Sequence, residues 1–184
     1  MATNIIDLQK LDHVHLDRLF KRYGDEPNDA RRATFRELVD LVTTHAFAEE
    51  EVLFPAARRA LASGEQLTAE IESQHQRINE LLTEMEGMEP GDEGFDRRVD
   101  ELFPLLRADV RNEEDRLLPA MAERLDPAEL ERIGAAWAVA KKAAPNRSHP
   151  RVPRRPPGNV LAGIPLYVID HVRSAIARLR NTSQ

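Results

Sequence analysis

One eleven-residue frame is written twice in this chain. Residues 45–55 read HAFAEEEVLFP and residues 109–119 read DVRNEEDRLLP. Each copy opens on a side chain able to bind a metal, then places glutamates at +4 and +5, leucine at +8 and proline at +10. On a helix, positions i and i+4 share one face, one turn apart. His45 with Glu49, and Asp109 with Glu113, can therefore each address a single inward point. The repeat asks for two long helices whose inner faces meet.

The remaining pattern supplies those helices. Apolar residues recur at spacings of three and four through the first 125 positions, which is helical periodicity. The spacing predicts helices over about 4–23, 29–62, 65–86 and 94–124, separated by GDEPND, Ser63-Gly64 and GMEPGDEG. Pro55, Pro104 and Pro119 fall inside these spans, and each should kink its helix or mark a local break. The expected fold is all-α: an up-and-down antiparallel four-helix bundle over residues 1–125. Residues 126–184 form a C-terminal helical and Pro-rich extension. It opens on DPAE, with Asp126 at an N-cap, proline at N1 and glutamate at N3, and the helix runs past Trp137 toward Ala144. Residues 145–165 hold six prolines and read as an extended linker, and 166–179 read as a short final helix.

The absence of cysteine excludes disulfides, iron–sulfur clusters and zinc–thiolate sites. The N-terminal residues lack a basic start and an apolar signal core, and no apolar run reaches membrane-spanning length. A cytoplasmic protein with no membrane partner is expected. The net charge of −6 is unevenly spread. Residues 134–184 carry nine Lys/Arg against Asp170 alone, a net of +8, which leaves −14 on residues 1–133. A basic, partly apolar tail is expected to fold over its own acidic body. The run RVPRRPP lacks interleaved aromatics, so nucleic acid is not an expected partner. Neither a Ser–His–acid arrangement nor a phosphate-binding glycine loop stands out.

The doubling extends beyond the frame. His13 and His75 lie 62 residues apart, and His45 and Asp109 lie 64 apart. A doubled helix pair with pseudo-twofold symmetry brings His13, His45, Glu49, His75, Asp109 and Glu113 to one region of the core. Imidazole with carboxylate suits iron or manganese. Buried unpaired carboxylates would cost several kcal/mol each, a cost that a cation offsets. A single His-x-x-x-Glu more often lies on a wet helix face; its repetition, with histidines on both intervening helices, is what points to metal. Glu50, Glu51, Glu114 and Asp115 read mainly as solvated, with Glu50 and Glu114 as candidate supports behind the ligands.

DHVHLDRLF, HAFAEEEVLFP, the histidine of ESQHQRINELL and VRNEEDRLLP together resemble the hemerythrin-like (HHE cation-binding) family over about residues 5–125. Actinobacterial members with a C-terminal extension look most alike. The resemblance implies a four-helix bundle holding two iron ions, oxo- or hydroxo-bridged, with His13, His45, Glu49, His75 and Glu113 as ligands. It also implies a small-molecule oxidant as partner: hydrogen peroxide, nitric oxide or oxygen. Catalase-like activity is associated with the extended members.

Two positions stay open at this level. His15 rivals His13, because both flank the apolar arc by similar angles, and only the family register favours His13. Asp109 stands where the family usually has histidine. It can bind metal itself, it can accept a hydrogen bond while another residue replaces the imidazole, or the second ion is weakly held. Tyr167 and His171, an i, i+4 pair in the extension, are the candidate replacements, with His149 nearby in sequence. A ferritin-like site would need two Glu-x-x-His pairs, and only Glu72–His75 is present. A carboxylate-rich site favours ferric iron, so turnover of peroxide is expected over reversible oxygen storage, with an iron- or oxygen-responsive sensor as the alternative.

Overall fold

The computed structural model describes residues 4–144, which are helical with no strand among them. Helix α1 spans Ile5–Asp25, with Asn4 as its N-cap accepting from the Asp7 amide at 3.1 Å. Helix α2 spans Asn28–Ala48 and runs into a π-helical turn over Glu49–Leu53, followed by the short α3 over Phe54–Ala60. Helix α4 covers Gly64–Glu84. Helix α5 covers Glu93–Asn112 and enters a second π-helical turn over Glu113–Leu117, followed by α6 over Leu118–Arg124. Helix α7 covers Pro127–Ala143 and starts on the expected capping box of Asp126 and Glu129. The expected final helix, Tyr167 and His171 lie outside the described residues.

The rods of the bundle are therefore α1, α2–α3, α4 and α5–α6. The two frame prolines act as expected of a local break, and the break has a defined form. Proline lacks an amide hydrogen, and its ring crowds the carbonyl four residues earlier. Both copies relieve this by widening the turn just upstream: the Phe54 amide reaches back to the Glu49 carbonyl and the Leu118 amide to the Glu113 carbonyl. Pro104 differs, for it lies within uninterrupted α5. It stands on the exposed side of the helix, as does Asp100, the residue whose carbonyl a proline there cannot pair with.

Turn chemistry closes the bundle. Gly87 and Gly91, with φ of 85° and 95°, take left-handed conformations between α4 and α5 that side chains disfavour. At Gly64 a Cβ would come within 2.4 Å of the Ala57 carbonyl oxygen, so only glycine lets α4 start this close to α3.

The core has two apolar clusters. One gathers Leu16, Leu19, Phe20, Leu38, Leu81, Phe95 and Leu102. The other gathers Ile5, Leu53, Phe54, Ile71, Leu117, Met121 and Trp137. Each fully buried Leu, Ile or Phe contributes roughly 1.5–3 kcal/mol. Between the clusters along the rods lies a polar layer, with His13 on α1, His45 and Glu49 on the second rod, His75 on α4, and Asp109 and Glu113 on the fourth. Helix α7 packs across α1, α2 and the first π turn.

Candidate metal centre

The six residues picked out by the repeat come together. His13 Nε2 lies 3.0 Å from Glu113 Oε2, and His45 Nε2 lies 3.3 Å from Glu49 Oε1 and 3.9 Å from Glu113 Oε2. His75 Nε2 lies 3.5 Å from both Glu49 Oε2 and Asp109 Oδ2. All but His45 are buried outright, and the His45 side chain is 12% exposed. His15 is not in this group. It is on the surface, bonded to Glu37 at 3.1 Å. Glu72 also turns away and pairs with Arg58 at 2.6 Å.

The three imidazoles share one orientation logic. Each Nδ1 faces a carboxylate outside the cluster: Glu114 at 2.8 Å from His13, Asp12 at 2.8 Å from His45 and Glu50 at 3.0 Å from His75. An ionised carboxylate only accepts, so Nδ1–H is the donor, and the lone pair of a neutral ring is left on Nε2. All three Nε2 atoms, both oxygens of Glu49 and of Glu113, and Asp109 Oδ1 are buried without a hydrogen-bond partner among the described residues. Orphaned buried groups of this kind are costly. Here they are the inward-facing atoms of one cluster, and oriented imidazoles backed by carboxylates are the usual support of metal ligands. Two subsets have ligand atoms near enough to hold an ion: His13, His45 and Glu113, and Glu49, His75 and Glu113. The donor set fits a cation of iron or manganese type.

Glu50 takes the supporting place behind His75 that the sequence suggests for it, but the expectation of a mainly solvated side chain is corrected: it is buried at 1% exposure. A regular helix would turn +4 and +5 well apart; the widened turn lets both face inward. Pro55, ten residues after His45, was the available signal. Glu114 keeps a partly exposed side chain, and Asp115 is on the surface.

Four residues escaped sequence reasoning. Asp12 supports His45 and is itself held by Lys141 from α7. Trp137, also on α7, stands edge-on to the His45 ring at 5.6 Å, with the Lys141 ammonium 4.9 Å from its own ring centre. Gln9, one turn before His13, is fully buried. Nothing short-range in the sequence links position 12 to position 141; the contact exists because α7 folds across α1 and α2.

The protonation balance follows from burial and pairing. Burial opposes charge on His45 and His75, yet the surrounding carboxylates outweigh it and raise both well above the ordinary histidine value. His13 is raised for the same reason, chiefly by Glu113. Burial and the negative charge of Glu113 lift Glu49 to about 7. Burial also works against ionised Glu113, but the nearby imidazoles of His13 and His45 outweigh it and lower its value. Asp109 is raised by burial. With no cation between them, these groups share protons instead, and a cation would replace those protons.

The family model described as the hemerythrin HHE cation binding domain matches residues 4–121. The chain belongs to the hemerythrin HHE cation-binding family. A hemerythrin-like protein of Schizosaccharomyces pombe is 26% identical over 179 residues, covering 96% of this chain and 88% of that protein. A DNA nickase of Nostoc is 30% identical over 151 residues, covering 81% of this chain, which in turn spans 41% of the nickase's length. A crystal structure of a hemerythrin HHE cation binding domain-containing protein from Mycobacterium kansasii superposes with a TM-score of 0.67 at 23% identity, covering 76% of this chain and 86% of that one. The last comparison supports the hemerythrin helical-bundle fold. No helix among the described residues is long and apolar enough to cross a membrane.

Proposed function

We propose that this hemerythrin-like protein holds two iron ions in the polar layer and disproportionates hydrogen peroxide. The observation that carries this reading is the set of convergent, partnerless Nε2 and carboxylate atoms, each imidazole backed by an acid. His13, His45 and Glu113 would hold one ion, and Glu49, His75 and Glu113, with Asp109, the other. Paired irons would supply the two-electron exchange by which one peroxide is oxidised to dioxygen and another is reduced to two waters. The protein's part is to fix the ligands, exclude bulk water and bias the charge. The carboxylate of Asp109, where the family usually has imidazole, adds negative charge and favours the more oxidised metal. Glu114, bonded to His13 Nδ1 and partly exposed, gives the site a proton link to solvent.

A second reading has its own observation: α7 reaches the site through Lys141, Asp12 and His45. On this reading, metal occupancy sets how firmly the C-terminal extension docks, and the protein is a metal-responsive module without turnover.

The test begins with anaerobic ferrous loading and elemental analysis, followed by stopped-flow mixing with peroxide and an oxygen electrode. Two irons per chain with oxygen release are expected. Failure to retain iron would overturn the metal reading. Retained iron with neither oxygen release nor a spectral change would overturn peroxide turnover alone. Trp137, the only tryptophan, should lose fluorescence on loading because it abuts His45.

A further inference from the structure

Away from the metal centre, a cleft of about 390 Å³ lies between α3, α6 and α7. Arg59, Arg124 and Arg132 reach it from those three helices, over a floor that includes Ala56, Leu125 and Ile133. The body here is acidic, and its arginines are mostly engaged. Of the fifteen between residues 4 and 144, seven pair with carboxylates: Arg22, Arg32, Arg58, Arg77, Arg97, Arg98 and Arg116. Arg31 bonds backbone carbonyls, and Arg107 covers the Phe20 ring. Half of the remaining six meet in this one cleft, and none of these three has an ion pair or hydrogen bond among the described residues. The one acid at the rim, Glu129, is occupied in the capping box of α7.

We propose that this cleft binds a small organic anion, a carboxylate or phosphate carried on an apolar body. Guanidinium groups match such heads with paired, charge-assisted hydrogen bonds. The floor would take the apolar part, and the volume falls in the range of small-molecule sites. Arg59 and Arg124 lie in the last turns of α3 and α6, where a cation also offsets the negative helix end. That accounts for two of the charges, but not for Arg132, the sixth residue of α7, nor for the apolar floor. The chain's own tail is a poor competitor, since residues 134–184 hold Asp170 as their one acidic side chain.

The experiment is calorimetric titration of the full-length, iron-loaded chain with phenyl phosphate, benzoate, inorganic phosphate and uncharged benzyl alcohol. Saturable binding is expected for phenyl phosphate or benzoate, and the tighter of the two identifies the preferred head. It should exceed inorganic phosphate by about tenfold, with no binding of benzyl alcohol. The double variant Arg124→Ala/Arg132→Ala should lose at least about tenfold in affinity while keeping its Tm and iron content, because both side chains are exposed. The absence of saturable binding by either organic anion would overturn the proposal. So would binding that survives in the double variant, which would place the anion on the metal instead, or inorganic phosphate matching phenyl phosphate.

Discussion

The two halves of the bundle are copies that have diverged at one corner. In both, a frame glutamate faces the cluster and its neighbour backs the histidine of the other half: Glu113 and Glu114 serve His13, while Glu49 and Glu50 serve His75. Both frames contain a π turn and lead into a seven-residue helix. At the frame's first position the halves part. His45 has an acid behind it, Asp12, and a cation behind that, Lys141. Asp109 has neither. Applying the 62-residue offset to Asp12 leads to Gln74, which bonds Asn112 at 3.0 Å. The second half thus carries neither an imidazole nor a supporting carboxylate at these positions, and the half that has both is the one covered by α7. One half is built to orient a neutral ligand, and the other contributes charge.

The largest expected effect concerns the glutamates, which look equivalent and are not. Glu113 belongs to both candidate ion sites, whereas Glu49 belongs to one. Glu113→Gln should abolish retention of both ions; Glu49→Gln should leave the His13 and His45 side occupied. Elemental analysis reads this directly, and equal losses would show that the halves are equivalent after all. Acid–base behaviour separates the same pair. For Glu49, burial and the Glu113 charge raise the folded value to about 7. The sign follows: its contribution to metal-free stability is complete below its ordinary value of 4.5 and is lost as pH rises through about 7. Glu113, lowered, contributes above 4.5 and loses that contribution as pH falls below it. In the metal-free protein, Glu49→Gln should therefore gain up to roughly 3 kcal/mol over wild type at pH 8 and little at pH 5, by denaturant unfolding. A gain independent of pH would break the distinction.

Next in size is the support behind the first frame position. Asp12→Asn keeps the shape but removes the charge that holds Nδ1–H of His45, and should weaken metal binding by about 10–100-fold. The converse experiment rebuilds the symmetry. Asp109→His should strengthen the second ion site modestly, and Asp109→His/Gln74→Asp more so, because the new ring then has an acceptor. If the single and double variants bind alike, Gln74 is not the lost counterpart of Asp12.

How much of this was legible beforehand depends on the range of the forces involved. The bundle and the frame's inward residues, His45, Glu49, Asp109 and Glu113, follow from spacing, because helical periodicity fixes which side chains share a face. The rival position of His15 could not be settled that way, since it and His13 flank the apolar arc alike; its position beside Glu37 is decided by how α1 packs on α2. The burial of Glu50, unlike its place behind a ligand, is hidden from regular helical angles, because the widened turn at Pro55 breaks them. Asp12, Lys141 and Trp137 form a contact across about 130 residues, and no local pattern announces it.

The smallest expected effect lies one turn below the histidines. Gln9 is fully buried, at 0% exposure, and neither its amide nitrogen nor its oxygen has a hydrogen-bond partner among the described residues. Its counterpart by the same 62-residue offset is Ile71, at home in the lower apolar cluster. The fold therefore accepts a branched apolar side chain at this level of the other half. An unsatisfied buried amide costs about 1–3 kcal/mol, whereas an apolar replacement of similar size removes that cost. Gln9→Ile should thus raise metal-free stability by about 1 kcal/mol, the gain from lost desolvation being reduced by the altered shape. A loss of stability would instead mean that the amide is satisfied by water, and that the polar layer of the first half extends one turn deeper than that of the second.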